Sequence, residues 1–187
     1  INKVYTNATL SIGREKEKIF IKNNNNDSQY DVIIFACHAN QIQEILVDIS
    51  NEEREILSMF EYTKNNVLLH SDASLMPENK SLWSSWNSFK NNEHDYLSYW
   101  MNNLQKLDTQ RDIFVTVGNF PEVSEEKIFK KISYEHPLYS EKTLEGQKLI
   151  RSIQGNSNTY FSGAHLGYGF HEDGIKSAIE ITKKIYE

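Results

Sequence analysis

Apolar residues change their spacing several times along this chain, and each change marks an element. Leu10, Ile12, Ile19 and Ile21 alternate with polar neighbours, which predicts strands over Val4–Ile12 and Lys18–Lys22 joined by a charged turn at Gly13–Glu17. Asn23–Ser28 is too rich in asparagine for helix or strand and reads as a polar tip. After Tyr30 and Asp31 the alternation gives way to the run Val32-Ile33-Ile34-Phe35-Ala36, the pattern of a strand buried on both faces. Cys37 and His38 stand at the C-terminal tip of that strand, where open α/β sheets place their ligands.

Helical spacing follows. A short helix is predicted over Asn40–Val47. Ser50 and Glu53 have the spacing of a capping box and open a second helix to about Phe60, with Ile56, Leu57 and Phe60 inward. Beyond Tyr62 the chain turns aromatic and β-branched: Val67–His70, Leu82–Asn87, Tyr96–Leu104, Ile113–Val117 and Phe129–Tyr134 read as strands of a mostly antiparallel sheet. His136-Pro137 ends them, and Ser140–Ile153 reads as a helix carrying Leu144, Leu149 and Ile150. After a turn at Gln154–Asn158, Tyr160-Phe161 reads as a short strand, and a glycine-punctuated loop leads into a helix with Ile175, Ala178, Ile179, Thr182 and Ile185 at helical spacing. Glu172 and Asp173 fall in the first turn of that helix and Lys183 and Lys184 in its last, as the helix dipole favours. The fold class expected is α/β with α+β character. Residues 1–47 and 155–187 form one partial layer, and residues 48–154 form an inserted sheet lobe with flanking helices.

Composition narrows the function. The 187 residues are enough for one domain or two small lobes, and 39% hydrophobic residues support a real core. A net charge of -6 argues against nucleic acid as a partner, since neutralising phosphates needs clustered Lys and Arg. One cysteine, Cys37, excludes an internal disulfide and a cysteine-based zinc framework, and suits a reducing compartment, the cytoplasm. His165, His171 and Glu172 match no standard ligand spacing, so no metal is expected. No apolar run approaches the length of a membrane span. The first residue is Ile1, not Met, and the chain reads as part of a longer one.

The candidate chemistry is concentrated from Thr159 to Gly174. A strand, a glycine loop and a helix N-terminus together present backbone N–H groups to a ligand, and Gly167, Gly169 and Gly174 are read as letting that ligand approach the backbone.

Several segments carry a family resemblance: Ser71–Pro77, Trp83–Asn87, Tyr99–Gln105, Tyr134–Pro137 and Gly167–Gly174. With the order meander, buried strand, inserted sheet, strand, glycine loop and helix, the chain resembles the C-terminal half of FAD-dependent oxidoreductases of the flavin amine oxidase and phytoene desaturase superfamily. Within that comparison it resembles more closely a bacterial family described as predicted NAD/FAD-binding or amine-oxidase-like proteins. Such enzymes open with a strand, a G-x-G-x-x-G turn and a helix that cradle the FAD pyrophosphate, and no such motif occurs in these residues. The resemblance implies a partial Rossmann-like layer with a substrate lobe, and FAD as the cofactor of the complete protein.

It also implies roles. Asp173, Gly174 and Ile175 would border the flavin edge where reduced flavin gathers negative charge. Gly163 and Ala164 would lie by the ribityl–pyrophosphate, and Ala36, Cys37 and His38 would line the adenine and pyrophosphate half. His171 falls where amine oxidases place a tyrosine near the flavin face, and an imidazole there can accept a proton from substrate. Trp86, Tyr99, Trp100, Asn102 and Tyr168 would face the substrate, an apolar molecule or an amine. The expected reaction is oxidation by hydride transfer to flavin. The alternative is a catalytically inactive binding module, self-associating through the face left by a missing N-terminal half.

Overall fold

The structure is a computed structural model that describes residues 3–23 and 27–186. It divides into two compact units, Ile1–Tyr62 with Pro137–Glu187, and Thr63–His136. These bounds correct the expected ones. The helices Asn51–Ser58 (α2) and Glu141–Ile153 (α4) belong to the first unit, not to the sheet lobe. The reason is burial: Ile56, Leu57, Phe60, Ile150 and Ile153 enter one core with Ile12, Ile19, Phe35 and Phe161.

In the first unit, Ser11–Glu15 (β1), Lys18–Lys22 (β2) and Asp27–Tyr30 (β3) form an antiparallel meander. The first strand begins at Ser11 rather than Val4, and Val4 and Tyr5 are exposed. The turn contracts to Lys16-Glu17, both at positive φ, which closes a two-residue hairpin. The Asn23–Ser28 tip lies partly outside the described residues, and Asp27 and Ser28 open β3. Arg14 sits opposite Ile19 and so points inward with it. Its guanidinium grips both Glu53 oxygens at 2.5 and 2.8 Å and Asp48 Oδ2 at 3.1 Å, fastening β1 to α2. Burial, the largest single influence, raises the Glu53 carboxyl's pKa, but the Arg14 bond and charge together with the Ser50 hydrogen bonds outweigh it and bring the group below its ordinary value.

Ile33–Phe35 (β4) and Thr159–Phe161 (β10) pair in parallel. Ile33 and Phe35 are buried on one face of β4, whereas Ile34 is 47% exposed on the other. The expectation of a strand buried on both faces is therefore corrected: Ile33 and Phe35 are covered, while Ile34 on the other face is about half exposed. Ala39–Ile45 (α1) leaves the tip of β4, and Ser50 caps α2 with the anticipated box, its Oγ accepting from Glu53 N–H and Glu53 accepting from Ser50 N–H.

The second unit is a five-stranded sheet in the order β6-β7-β8-β5-β9. Its strands are Tyr62–His70 (β5), Trp86–Lys90 (β6), Asp95–Trp100 (β7), Phe114–Asn119 (β8) and Ile128–Pro137 (β9). The strand expected over Tyr96–Leu104 stops at Trp100 and turns into the one-turn helix Met101–Leu104 (α3). Asn102 fixes that turn, accepting from Ile113 N–H at 2.7 Å and donating to Arg111 C=O at 2.8 Å.

Candidate functional site

The tips of β4 and β10 and the start of His171–Tyr186 (α5) are joined by a small set of bonds. Ser162 N–H donates to Phe35 C=O at 2.8 Å, continuing the parallel ladder one residue past β10. Ser177, one of two buried residues of α5, lies 2.9 Å from Ser162 Oγ, accepts from Gly163 N–H at 3.1 Å and donates to Gly174 C=O at 2.7 Å. It pins the second turn of α5 to the strand tip. Sequence reading missed it, although a serine in a helix interior is a signal that its hydroxyl has a partner.

Asp173 has a second fastening role. Its Oδ2 accepts from the N–H groups of Tyr168 and Phe170, each at 3.0 Å. The N–H groups of Asp173 and Gly174 donate to Phe170 C=O, so the first-turn donors ahead of the intrahelical ladder are those of His171 and Glu172. Gly163, Ala164 and Gly174 do come together: a Cβ at Gly174 would lie 3.7 Å from Ala164 N.

The glycine loop corrects one reading. A Cβ at Gly167 would strike the Asp173 side chain, and one at Gly169 would lie 2.6 Å from the Tyr139 hydroxyl. At Gly163, with φ near +155°, it would lie 2.6 Å from the His165 ring. Gly167 and Gly169 are therefore needed to seat the protein's own side chains, not to admit a ligand.

Two histidines face this region. His38 stacks on Tyr62, ring centroids 4.4 Å apart, and the Tyr62 hydroxyl accepts from Ala39 N–H at 2.8 Å. His165 is only 5% exposed, packs edge-on to Phe60, and its Nε2 has no hydrogen-bond partner among the described residues. Burial, aided by the neighbouring His38, lowers its pKa to about 4, so it is neutral at physiological pH. Burial also pushes the Cys37 thiol up, which keeps it protonated and unreactive. Ala36 is exposed, as are His171 at the first position of α5, Ile175 and Tyr168. No group of three or more His, Cys, Asp or Glu suited to a metal occurs among the described residues.

In the second unit Trp86 and Tyr99 are cross-strand partners with rings 6.1 Å apart, and Trp86 is exposed. Tyr99 and Leu97 share an open groove of about 450 Å³ with Ser88, Val117 and His136. Trp100 and Asn102 use their polar groups internally: the indole donates to Asp112 at 3.0 Å, and Asn102 holds α3.

Neither a protein-family model nor a curated protein matches the sequence. Solved structures do match. The CLA-producing fatty acid isomerase from P. acnes superposes with a TM-score of 0.62 at 18% identity, over 95% of this chain and 47% of that one. A putrescine oxidase gives 0.63 at 10% identity over 97% and 50% of the two chains. A reduced UDP-galactopyranose mutase gives 0.63 at 10% over 94% and 46%. The chain has the fold of about half of each of these enzymes. A ligand at the strand tips fits two observations on that fold: the unpartnered buried Nε2 of His165, and the early N–H groups of α5. No helix among the described residues is long and apolar enough to cross a membrane.

Proposed function

We propose that these residues are the flavin-edge and substrate half of an FAD-dependent oxidoreductase. The observation that carries the reading is the likeness of fold, which extends over 94–97% of the chain in an oxidase, an isomerase and a mutase. The unit Ile1–Tyr62 with Pro137–Glu187 would be the partial cofactor domain and Thr63–His136 the substrate lobe. FAD, when bound, would supply an acceptor for a hydride leaving a C–H bond of a small apolar or amine substrate as the adjacent C–N or C–C bond becomes double and a proton is given up. The chain's own residues orient and stabilise. The start of α5 directs fixed N–H dipoles where negative charge gathers, with Gly163, Ala164, Asp173, Gly174 and Ile175 around it. Ala36, Cys37 and His38 line the tip of β4. His171 accepts a proton from substrate. Trp86 and Tyr99 supply aromatic surface for the substrate, with Tyr168 on the exposed loop, while Trp100 and Asn102 shape the lobe behind them. We place the protein in the cytoplasm, where an unpaired thiol is stable.

Titration of the purified 187-residue chain with FAD, followed by removal of free cofactor, tests the reading. Retained flavin with a shifted spectrum means that the strand-tip residues and the start of α5 suffice to hold the isoalloxazine; no retention means a half-site, and then a chain with the glycine-rich half added that still retains no flavin overturns the reading. His171→Ala should slow flavin reduction by substrate, and unchanged reduction would remove the proton-acceptor role.

A second reading has its own support in the exposed apolar residues Ile34, Ile175 and Ile179: an inactive module that self-associates through this face. Light scattering that shows a monomer at high concentration rejects it.

A further inference from the structure

We infer that Trp83, Trp100 and Asp112 form a box for a small alkylammonium ion, which the chain's own Lys80 occupies until such an ion displaces it. The inference does not rest on flavin binding.

The box has three walls. The Trp83 and Trp100 rings lie 5.3 Å apart, centroid to centroid, and nearly perpendicular at 84°. The Asp112 carboxylate closes a third side, its Oδ1 accepting from the Trp100 indole N–H at 3.0 Å. Lys80 Nζ sits between them, 4.8 Å from the Trp83 ring centre, 5.5 Å from that of Trp100 and 2.8 Å from Asp112 Oδ2. Two electron-rich indole faces and one carboxylate are the surroundings to which an organic ammonium is drawn.

Each wall is held without the ammonium. The Trp83 indole donates to Pro77 C=O at 2.7 Å, and its ring meets fully buried Phe114 in a T. Trp100 ends β7 as the cross-strand partner of that same Phe114. Asp112 stands between two residues that Asn102 fastens, through Arg111 C=O and Ile113 N–H. The resident is placed more loosely. Lys80 opens a single 3-10 turn, Lys80–Leu82, whose three residues are all exposed. Its side chain is 59% exposed, against 29% for Asp112, and an ion pair so open contributes little to folding. The turn has its own fastening, since Asn79 Oδ1 accepts from Ser81 N–H at 3.0 Å. The arrangement is a preformed cation site with a tethered, exchangeable occupant, not a clasp on which the sheet depends.

Chemistry selects the ligand. One oxygen of Asp112 faces the ammonium and the other is taken by the indole, which suits a single N–H donor with methyl groups against the rings. A guanidinium is bound best by both oxygens of a carboxylate, and a divalent metal ion needs several oxygens. The box is also separate from the aromatic pair Trp86 and Tyr99. Trp100 follows Tyr99 along β7 and therefore lies on the opposite face of the sheet.

The test is a titration of the full 187-residue chain with trimethylammonium chloride, following the indole N–H signals of its three tryptophans by proton NMR. The Trp83 and Trp100 signals should move saturably, with half-saturation on the order of 10 mM, while that of Trp86 stays in place. K80A should bind at least about fivefold tighter, because a resident cation reduces the apparent affinity by the fraction of time the box is vacant. Adding D112N to K80A should weaken binding at least about tenfold, while the amide oxygen still accepts from the Trp100 indole and keeps the box in shape. The neutral tert-butyl alcohol, of similar bulk, should move neither signal. No saturable shift in either the parent or K80A overturns the inference. So does equal affinity of the two, which shows that Lys80 does not hold the box, and so does an equal response to the alcohol, which marks a merely apolar crevice. Collapse of the Trp83 and Trp100 signals to their unfolded positions in K80A shows the ammonium to be a structural clasp, and it too overturns the inference.

Discussion

His70 in the sheet unit and His165 in the mixed unit are both buried, and burial lowers the pKa of each to about 4. Their surroundings differ completely. His70 Nε2 lies 2.8 Å from Thr116 Oγ1, which lies 2.5 Å from Ser98 Oγ, while Nδ1 accepts from Asp72 N–H at 3.1 Å. Every polar atom of that ring is matched, and Ser98 and Thr116 are as fully buried as the histidine. His165 offers Nε2 to nothing among the described residues and sits at the strand tips beside His38. The first ring belongs to the architecture of its sheet. The second carries a desolvation cost that nothing within the described chain offsets, and in a native fold that points to a ligand.

The largest expected effect breaks the matched network. His70→Ala removes a fully buried ring beside Phe114 and takes a partner from Thr116 Oγ1 and from the Asp72 N–H, and should cost about 3 kcal/mol. Urea unfolding of the variant would measure it. A change under about 1 kcal/mol would mean that the network relaxes onto other partners and that the contrast with His165 is false.

Acid acts on both rings at once. Each histidine binds protons less readily folded, at about 4, than unfolded, at about 6.5, so between these values the unfolded chain carries more protons. Stability is therefore complete above pH 6.5 and is lost as pH falls towards 4, by up to about 3 kcal/mol per ring. For His70 burial dominates and Asp72 only partly offsets it; for His165 burial dominates and His38 adds to it. Removing His70 from the comparison, in a variant that still folds, should halve the pH dependence. Denaturation midpoints at pH 5 and 7 decide this, and a flat profile in the parent would show that the rings titrate normally.

How much of this was legible in the sequence depended on distance along the chain. The Ser50–Glu53 capping box and the helix opening at Ser140 are local patterns, and both hold. So did the gathering of Gly163, Ala164 and Gly174 at the start of α5, because strand, loop and helix are consecutive. What fills the space beside Gly169 was not legible, since Tyr139 lies far upstream. Nor was the Arg14 clasp, whose partners Glu53 and Thr159 lie in other elements and look like ordinary surface residues in the sequence. Nor was the burial of α5 legible: spacing shows that Ile175 and Ile179 share a face, but only tertiary packing decides whether that face is covered, and both are exposed.

A smaller effect couples the glycine loop to the unmatched ring. Gly163→Ala places a methyl against the His165 ring at a φ that L-residues rarely adopt, and should cost about 2 kcal/mol. Part of that cost is steric and part is backbone. In a double-mutant cycle with His165→Ala the steric part should disappear, leaving about 1 kcal/mol. Strict additivity would place His165 elsewhere than over Gly163.

The smallest expected change sharpens the comparison most. His165→Leu replaces a buried ring with an unmatched nitrogen by an apolar side chain of similar bulk beside Phe60 and Leu166. Replacing an unsatisfied polar group in this way removes its desolvation cost while retaining packing, so stability should stay within about 1 kcal/mol of the parent or rise. The same substitution at His70 should lower it, since Thr116 and the Asp72 N–H would lose their partner. Measured side by side in urea, the two leucine variants should therefore move in opposite directions or differ by at least about 2 kcal/mol. Equal losses at both positions would show that His165 has a structural partner after all, and the argument that its Nε2 is kept for a ligand would fall with the contrast.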